Sequence, residues 1–129
     1  MTRPVAHAGA SRLLVYARAG DGSYPAKEYF DGLPQKVKNR FAVAFKKLGD
    51  TGKLFNKEQF KAIEGTDFFE FKCHRYRLIC RFIEGGLVLL TNGCEKKKSK
   101  LDPEDVKRAE RIYQEDKIAS GHHGSSRKN

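Results

Sequence analysis

The segment "FFEFKCHRYRLICRFIEGGLVLLTNG", Phe68 to Gly93, decides the fold, because it holds three runs of strand-forming residues separated by two short breaks. In the first run Phe69, Phe71 and Cys73 alternate with Glu70, Lys72 and His74, the period of two by which a strand sends successive side chains to opposite faces. In the second, Leu78, Cys80 and Phe82 alternate with Arg77, Ile79, Arg81 and Ile83. The triplet Glu84 to Gly86 suits a hairpin turn. The third run, from Leu87, is apolar at nearly every position, as a strand in the middle of a sheet should be. The expectation is an antiparallel three-stranded meander.

Working outward, "RLLVYAR" (Arg12 to Arg18) is rich in strand formers and ends in a turn cluster, which predicts a further strand. Two helices follow. Pro25 suits the first turn of a short one ending near Asp31, and Pro34 the first turn of a longer one closed by Gly49. On the longer helix Leu33, Val37, Phe41, Ala44, Phe45 and Leu48 form one apolar stripe at helical spacing. The stretch "NKEQFKAIEG" suggests one more helical turn, started by Asn56 with Phe60 and Ile63 inward. Beyond the meander, Asp102 is placed to cap a final helix with Pro103 at its first position, and Val106, Ala109, Ile112 and Tyr113 share one side of it. The order of elements predicts an α+β fold: a small antiparallel sheet with an N-terminal helical hairpin and a C-terminal helix, all helices on one face and a basic face left open. Residues 1–10 and 119–129 read as flexible tails around a single domain spanning 11–118. His122 and His123 lie in the second tail, where metal binding would be adventitious.

Lys and Arg number 26 against 16 Asp and Glu, a formal charge of +10. Such an excess attracts polyanions, nucleic acid first and an acidic protein second. No apolar run reaches the length of a membrane span, no secretory leader is evident, and three cysteines without a CxxC pair indicate neither a disulfide framework nor a zinc knuckle. A reducing cytoplasm is the expected location, and no cofactor or metal is expected.

The alternation puts Lys72, His74, Arg77 and Arg81 on the side of the meander away from Phe71 and Leu78, and Lys96, Lys97, Lys98 and Lys100 leave the end of its third strand. Ile79 and Ile83 share that side, a mixture suited to a nucleobase beside its phosphate. The competing reading pairs Arg77 and Arg81 with Glu70 and Glu84 as cross-strand ion pairs.

Taken together, "YPAKEYFDGLPQKVKNRF", "FKAIEGTDFFEFKCHRYRLICRF" and "LVLLTNGCEKKKSKLDPEDVKRAERIY" resemble the RelE/ParE superfamily of bacterial toxins, and within it the HigB-like branch. The resemblance runs from about Arg12 to Lys117 and rests on Tyr76 and Arg77 opening a strand, then Lys96, Lys97, Pro103 and Ala109 after the last one. It implies the toxin of a type II toxin–antitoxin system: a metal-independent, ribosome-dependent endoribonuclease that cuts messenger RNA and is silenced by an acidic or partly disordered antitoxin. In that reaction the 2′-hydroxyl of the RNA attacks the adjacent phosphate. Cations are needed for the extra negative charge, and acid–base groups for two proton transfers. Position by position, Arg77 would hold the phosphate in the transition state, and Lys96 and Lys97 would contact it or assist proton transfer. Lys72 would join them from the preceding strand. His74 is a candidate general acid or base on its position alone. Arg75, Arg81, Lys98 and Lys100 would bind the RNA backbone. Cys94 and Glu95 stand where related chains often carry an aromatic, so the base-stacking contact is absent or comes from elsewhere. These side chains are expected outside the core, so Arg77→Ala should cost activity and little stability. The alternatives are a ParE-like inhibitor of DNA gyrase and a non-catalytic nucleic-acid-binding relative.

Overall fold

The computed structural model describes residues 2–121. Its elements run β1 (Val5–Ala8), β2 (Leu13–Tyr16), α1 (Pro25–Asp31), α2 (Gln35–Thr51), β3 (Phe60–Ala62), β4 (Phe68–Cys73), β5 (Tyr76–Ile83), β6 (Leu87–Glu95) and α3 (Pro103–Ala119). The meander is present in the expected order. Phe71 opposes Leu78 and Lys72 opposes Arg77 across β4 and β5, and Arg77 opposes Cys94 across β5 and β6.

The sheet is larger than expected and mixed. Six strands lie in the order β1-β2-β6-β5-β4-β3. The β2–β6 pair is parallel, Leu13 to Tyr16 running beside Leu87 to Leu90, while every other pair is antiparallel. The apolar β6 thus lies inside the sheet, where both of its faces need cover.

Helices pack on both faces, not on one. On the first, Phe41, Phe45 and Leu48 of α2 meet Leu14, Phe71, Leu78, Cys80, Val88 and Leu90. On the second, α3 lays Ile112 against Val15 and Leu89, and Ala109 against Phe68, Ile79 and Cys94. The reason lies in the alternation itself. Ile79, Leu89 and Val15 project from the face that was expected to stay open, and burying such side chains gains about 25 cal/mol per Å². The apolar stripe of α3 supplies the cover, reaching as far as Phe68 of β4.

Residues 2–10 are not a tail. β1 pairs with β2, Gly9 lies so tightly against the Gly49 backbone that a Cβ there would collide with it, and Gly49 packs on His7. Gly49 is therefore a contact inside α2, and the helix ends at Gly52, whose φ of 80° gives the left-handed cap that glycine accepts most readily. Arg3 forms a forked ion pair with the buried Asp116 of α3, Nη2 to Oδ2 at 2.8 Å and Nε to Oδ1 at 3.1 Å. The expected helical turn at Asn56 is a hydrogen-bonded turn that leads into strand β3, with Phe60 buried. The predicted α1, and α3 with its Asp102 cap accepting from the Glu104 amide, are as expected. Residues 122–129, including His122 and His123, lie outside the described residues.

Candidate functional site

The antiparallel register of β3, β4, β5 and β6 gathers side chains at one end of the sheet. Lys61 stands opposite Glu70, and Lys72 opposite Arg77, which stands opposite Cys94. Lys96 follows β6 directly, its amide donating to the Arg75 carbonyl at 2.8 Å and so extending the pairing past Glu95. These contacts bring Lys61, Lys72, Arg77 and Lys96 to one locus around Glu70. The clearest physical sign is at Lys72, whose pKa is lowered first by partial desolvation and then by the charge of Arg77, against the opposing pull of Glu70, with Lys61 and Lys96 adding to the lowering. The Lys72 ammonium also donates to the Lys57 carbonyl at 3.2 Å, and its amide to the Gln59 carbonyl at 2.9 Å, so the segment before β3 is tied to the cluster.

Arg77 departs from expectation. It is only 5% exposed. Its Nε lies 3.0 Å from Glu70 Oε1 but off the line of a hydrogen bond, so charge holds that contact. Nη1 makes the hydrogen bonds, donating to the carbonyls of His74 at 2.6 Å and Tyr76 at 2.9 Å. The expectation that Arg77 lies outside the core is thus overturned: the cross-strand pairing with Glu70 is real, and the guanidinium is bent toward the β4–β5 turn.

His74 is not on a strand face either. It occupies that two-residue turn with φ of 55°, exposed, presenting its carbonyl to Arg77. Its neighbour Arg75 pairs with Glu95 at 3.3 Å and lies over the Tyr76 ring at 4.9 Å. Arg81 is set apart from the cluster. It lies over the Tyr113 ring at 4.2 Å and pairs with Asp67 and Glu110 instead of Glu84, tying β5 to α3. Lys97, Lys98 and Lys100 are exposed and line a pocket of about 850 Å³ between the end of β6 and the start of α3, shared with Glu95, Asp102 and Asp105. Among the expected residues, the structure therefore unites Lys72, Arg77 and Lys96, sets Lys97, Lys98 and Lys100 beside them, and places Arg81 elsewhere.

Lys61 was missing from the sequence-based set because the segment carrying it reads as helix. Only its pairing with Glu70 brings it to the site. Beneath the cluster the thiol of Cys94 is pushed up to about 12, by burial first and then by Asp105. It is a packing group under the site, not a thiolate. Among the described residues, no group of three His, Cys, Asp or Glu is arranged to hold a metal ion, and no helix is long and apolar enough to cross a membrane.

Residues 28–114 match the model of a family described as "Phage derived protein Gp49-like (DUF891)". No curated protein matches the chain. Among solved structures, the chain is similar to a chain in the RelB-RelE antitoxin-toxin complex from Methanococcus jannaschii, with 13% identity, a TM-score of 0.46, and coverage of 54% of this chain and 82% of that one.

Proposed function

The chain belongs to the phage-derived Gp49-like family, a RelE- and toxin-like family, and we propose that it is a HigB-like toxin that cleaves messenger RNA on the ribosome and is held inactive by an antitoxin. The observation that carries this reading is the convergence of Lys61, Lys72, Arg77 and Lys96 on one locus, where partial desolvation and the neighbouring charges lower the pKa of Lys72. A binding protein that only needs positive charge has no need to converge cations on one point. A phosphoryl-transfer site does, because the pentavalent phosphorane carries more charge than the phosphodiester it comes from.

Each residue then has a task. Lys72, its pKa lowered, takes the proton of the RNA 2′-hydroxyl as its oxygen attacks phosphorus; the bond from phosphorus to the 5′-oxygen breaks, leaving a 2′,3′-cyclic phosphate, and the departing oxygen takes a proton from Lys96. Lys61 and Lys96 face the charge that accumulates on the non-bridging oxygens. Arg77, fixed by Glu70 and two carbonyls, contributes a preorganised positive field without having to move. Lys97, Lys98 and Lys100 hold the RNA strand beyond the cleaved bond, and the ribosome presents the message. The reading calls for no metal, because the nucleophile belongs to the substrate and lysines supply the charge. The formal charge of +10 suits an acidic antitoxin.

Inducing the protein in a bacterial host beside a Lys72→Ala/Lys96→Ala variant, and mapping new 5′ ends, tests the reading. The expected outcome is growth arrest with cuts confined to translated messages, lost in the variant while its thermal unfolding is unchanged. Arrest with intact messages would replace the nuclease by a protein target such as gyrase. Unarrested growth from folded protein would leave a non-catalytic binding module.

A further inference from the structure

The segment between α2 and β3 shows a side chain that the packing does not use. Phe55 is 82% exposed, the most exposed large hydrophobic and the only aromatic one so exposed among the described residues. A single apolar group on a surface is ordinary, but this one is held out by a fixed frame. Leu54 before it is buried in the core. Asn56 after it closes a turn, its carbonyl accepting from the Gln59 and Phe60 amides and its side chain from the Glu58 amide at 2.9 Å. Phe60 is buried again. That turn is tied to the cationic cluster, since Lys72 Nζ donates to the carbonyl of Lys57, two residues from Phe55.

We propose that Phe55 is the stacking platform for a nucleobase of the RNA strand held at the Lys72 cluster, replacing the aromatic that the "GCEKK" segment lacks. The inference rests on the nuclease reading and adds a specificity-determining residue to it. Flat aromatic surface beside cations is what a single-stranded nucleic acid needs: the cations follow the phosphates and the ring takes the base. Lys53 and Lys57 flank the ring in sequence and Lys61 follows them, so a strand crossing this loop meets charge on its way to Lys72. A ring held at one point selects the nucleotide at one distance from the cleaved bond.

The test uses the full chain with messenger RNA carrying 5-iodouridine, both free and on programmed ribosomes, and compares Phe55→Leu and Phe55→Tyr with the parent. Irradiation is expected to cross-link RNA to Phe55. Phe55→Leu should raise KM for cleavage about tenfold, in the range set by one lost base stack, with kcat little changed and the base preference around the cut flattened. Phe55→Tyr should restore all three, and neither variant should change thermal unfolding. Cross-links at Lys72 or Lys96 alone, with KM unchanged in Phe55→Leu, would overturn the stacking role and leave the nuclease standing. Absence of cross-linking and cleavage by the parent would overturn both. Unchanged RNA cleavage in Phe55→Leu combined with weakened antitoxin binding would assign the ring to a protein interface and overturn the proposal.

Discussion

At the scale of single residues, Arg77 and Glu70 govern what mutagenesis will show. Both are buried, and removing one leaves the other charged and unpaired in a poorly solvated place, which costs about 3–5 kcal/mol. Arg77→Ala is therefore expected to lower stability by several kcal/mol in urea unfolding, and the Arg77→Ala/Glu70→Ala double change to recover much of that loss. Equal unfolding midpoints for Arg77→Ala and the parent would show that the pair contributes nothing. Inactivity of Arg77→Ala by itself thus says little about catalysis, whereas Lys72 and Lys96 can be exchanged at small cost to the fold. The alternation of "YRLICRFI" assigned Arg77 to a face, and that was legible in the sequence. What covers the face was not, because local periodicity carries no information about where a distant helix will lie. That Lys72 and Arg77 share a side of adjacent strands was legible, while their direct pairing and the burial of Arg77 were not, since alternation gives the face and only the folded sheet gives register and cover.

Among the elements, the contact between α1 and β6 is the tightest constraint on the site. A Cβ at Gly93 would overlap the ring of Tyr29, whose hydroxyl donates to the Cys94 carbonyl at 2.9 Å. The short helix thus lies flat against the strand that delivers Lys96. Gly93→Ala is expected to destabilise by about 1–3 kcal/mol, as overpacking does, and by clearly less in a Tyr29→Leu background. Equal costs in the two backgrounds would show that Tyr29 is not the obstacle. The long amphipathic elements were readable because many residues vote for one period: α3 and its Asp102 cap, the stripe of α2, and the three strands of the meander. Two short strands were not. β1 and β3 have four and three residues, too few to show a period, and they exist because the Gly9–Gly49 approach and the Phe60–Phe71 pairing hold them against longer neighbours. Gly49 looked like a helix stop for the same reason, since a glycine chosen for close approach and one chosen for a cap are alike in sequence.

For the whole molecule, the two-sided burial of the sheet predicts how the protein responds to base. Burial, with Asp31 adding, pushes the Tyr16 phenol up to about 12, and burial raises the Tyr29 phenol and the Cys80 thiol as well. The folded state keeps these protons at a pH where the unfolded chain has released them. The contribution of these groups to stability is therefore expected to be level below about pH 9, where the thiols of an unfolded chain begin to ionise, and to fall steadily as pH rises from there toward 12. Tyrosinate absorbance and sheet circular dichroism followed together in an alkaline titration would check this. Tyr16 and Tyr29 should ionise only as the sheet signal is lost, and free ionisation of both in a folded protein would contradict the burial. The strand order has a further consequence, in time instead of space. β6 is the last strand to be synthesised and sits between β2 and β5, so a nascent chain that has reached only Gly86 has two half-sheets with nothing to join them. Non-local pairing of this kind must wait for its partner. The cationic locus, which needs Lys96 beside Lys72, therefore comes into being only after β6 has been made and has joined the two halves.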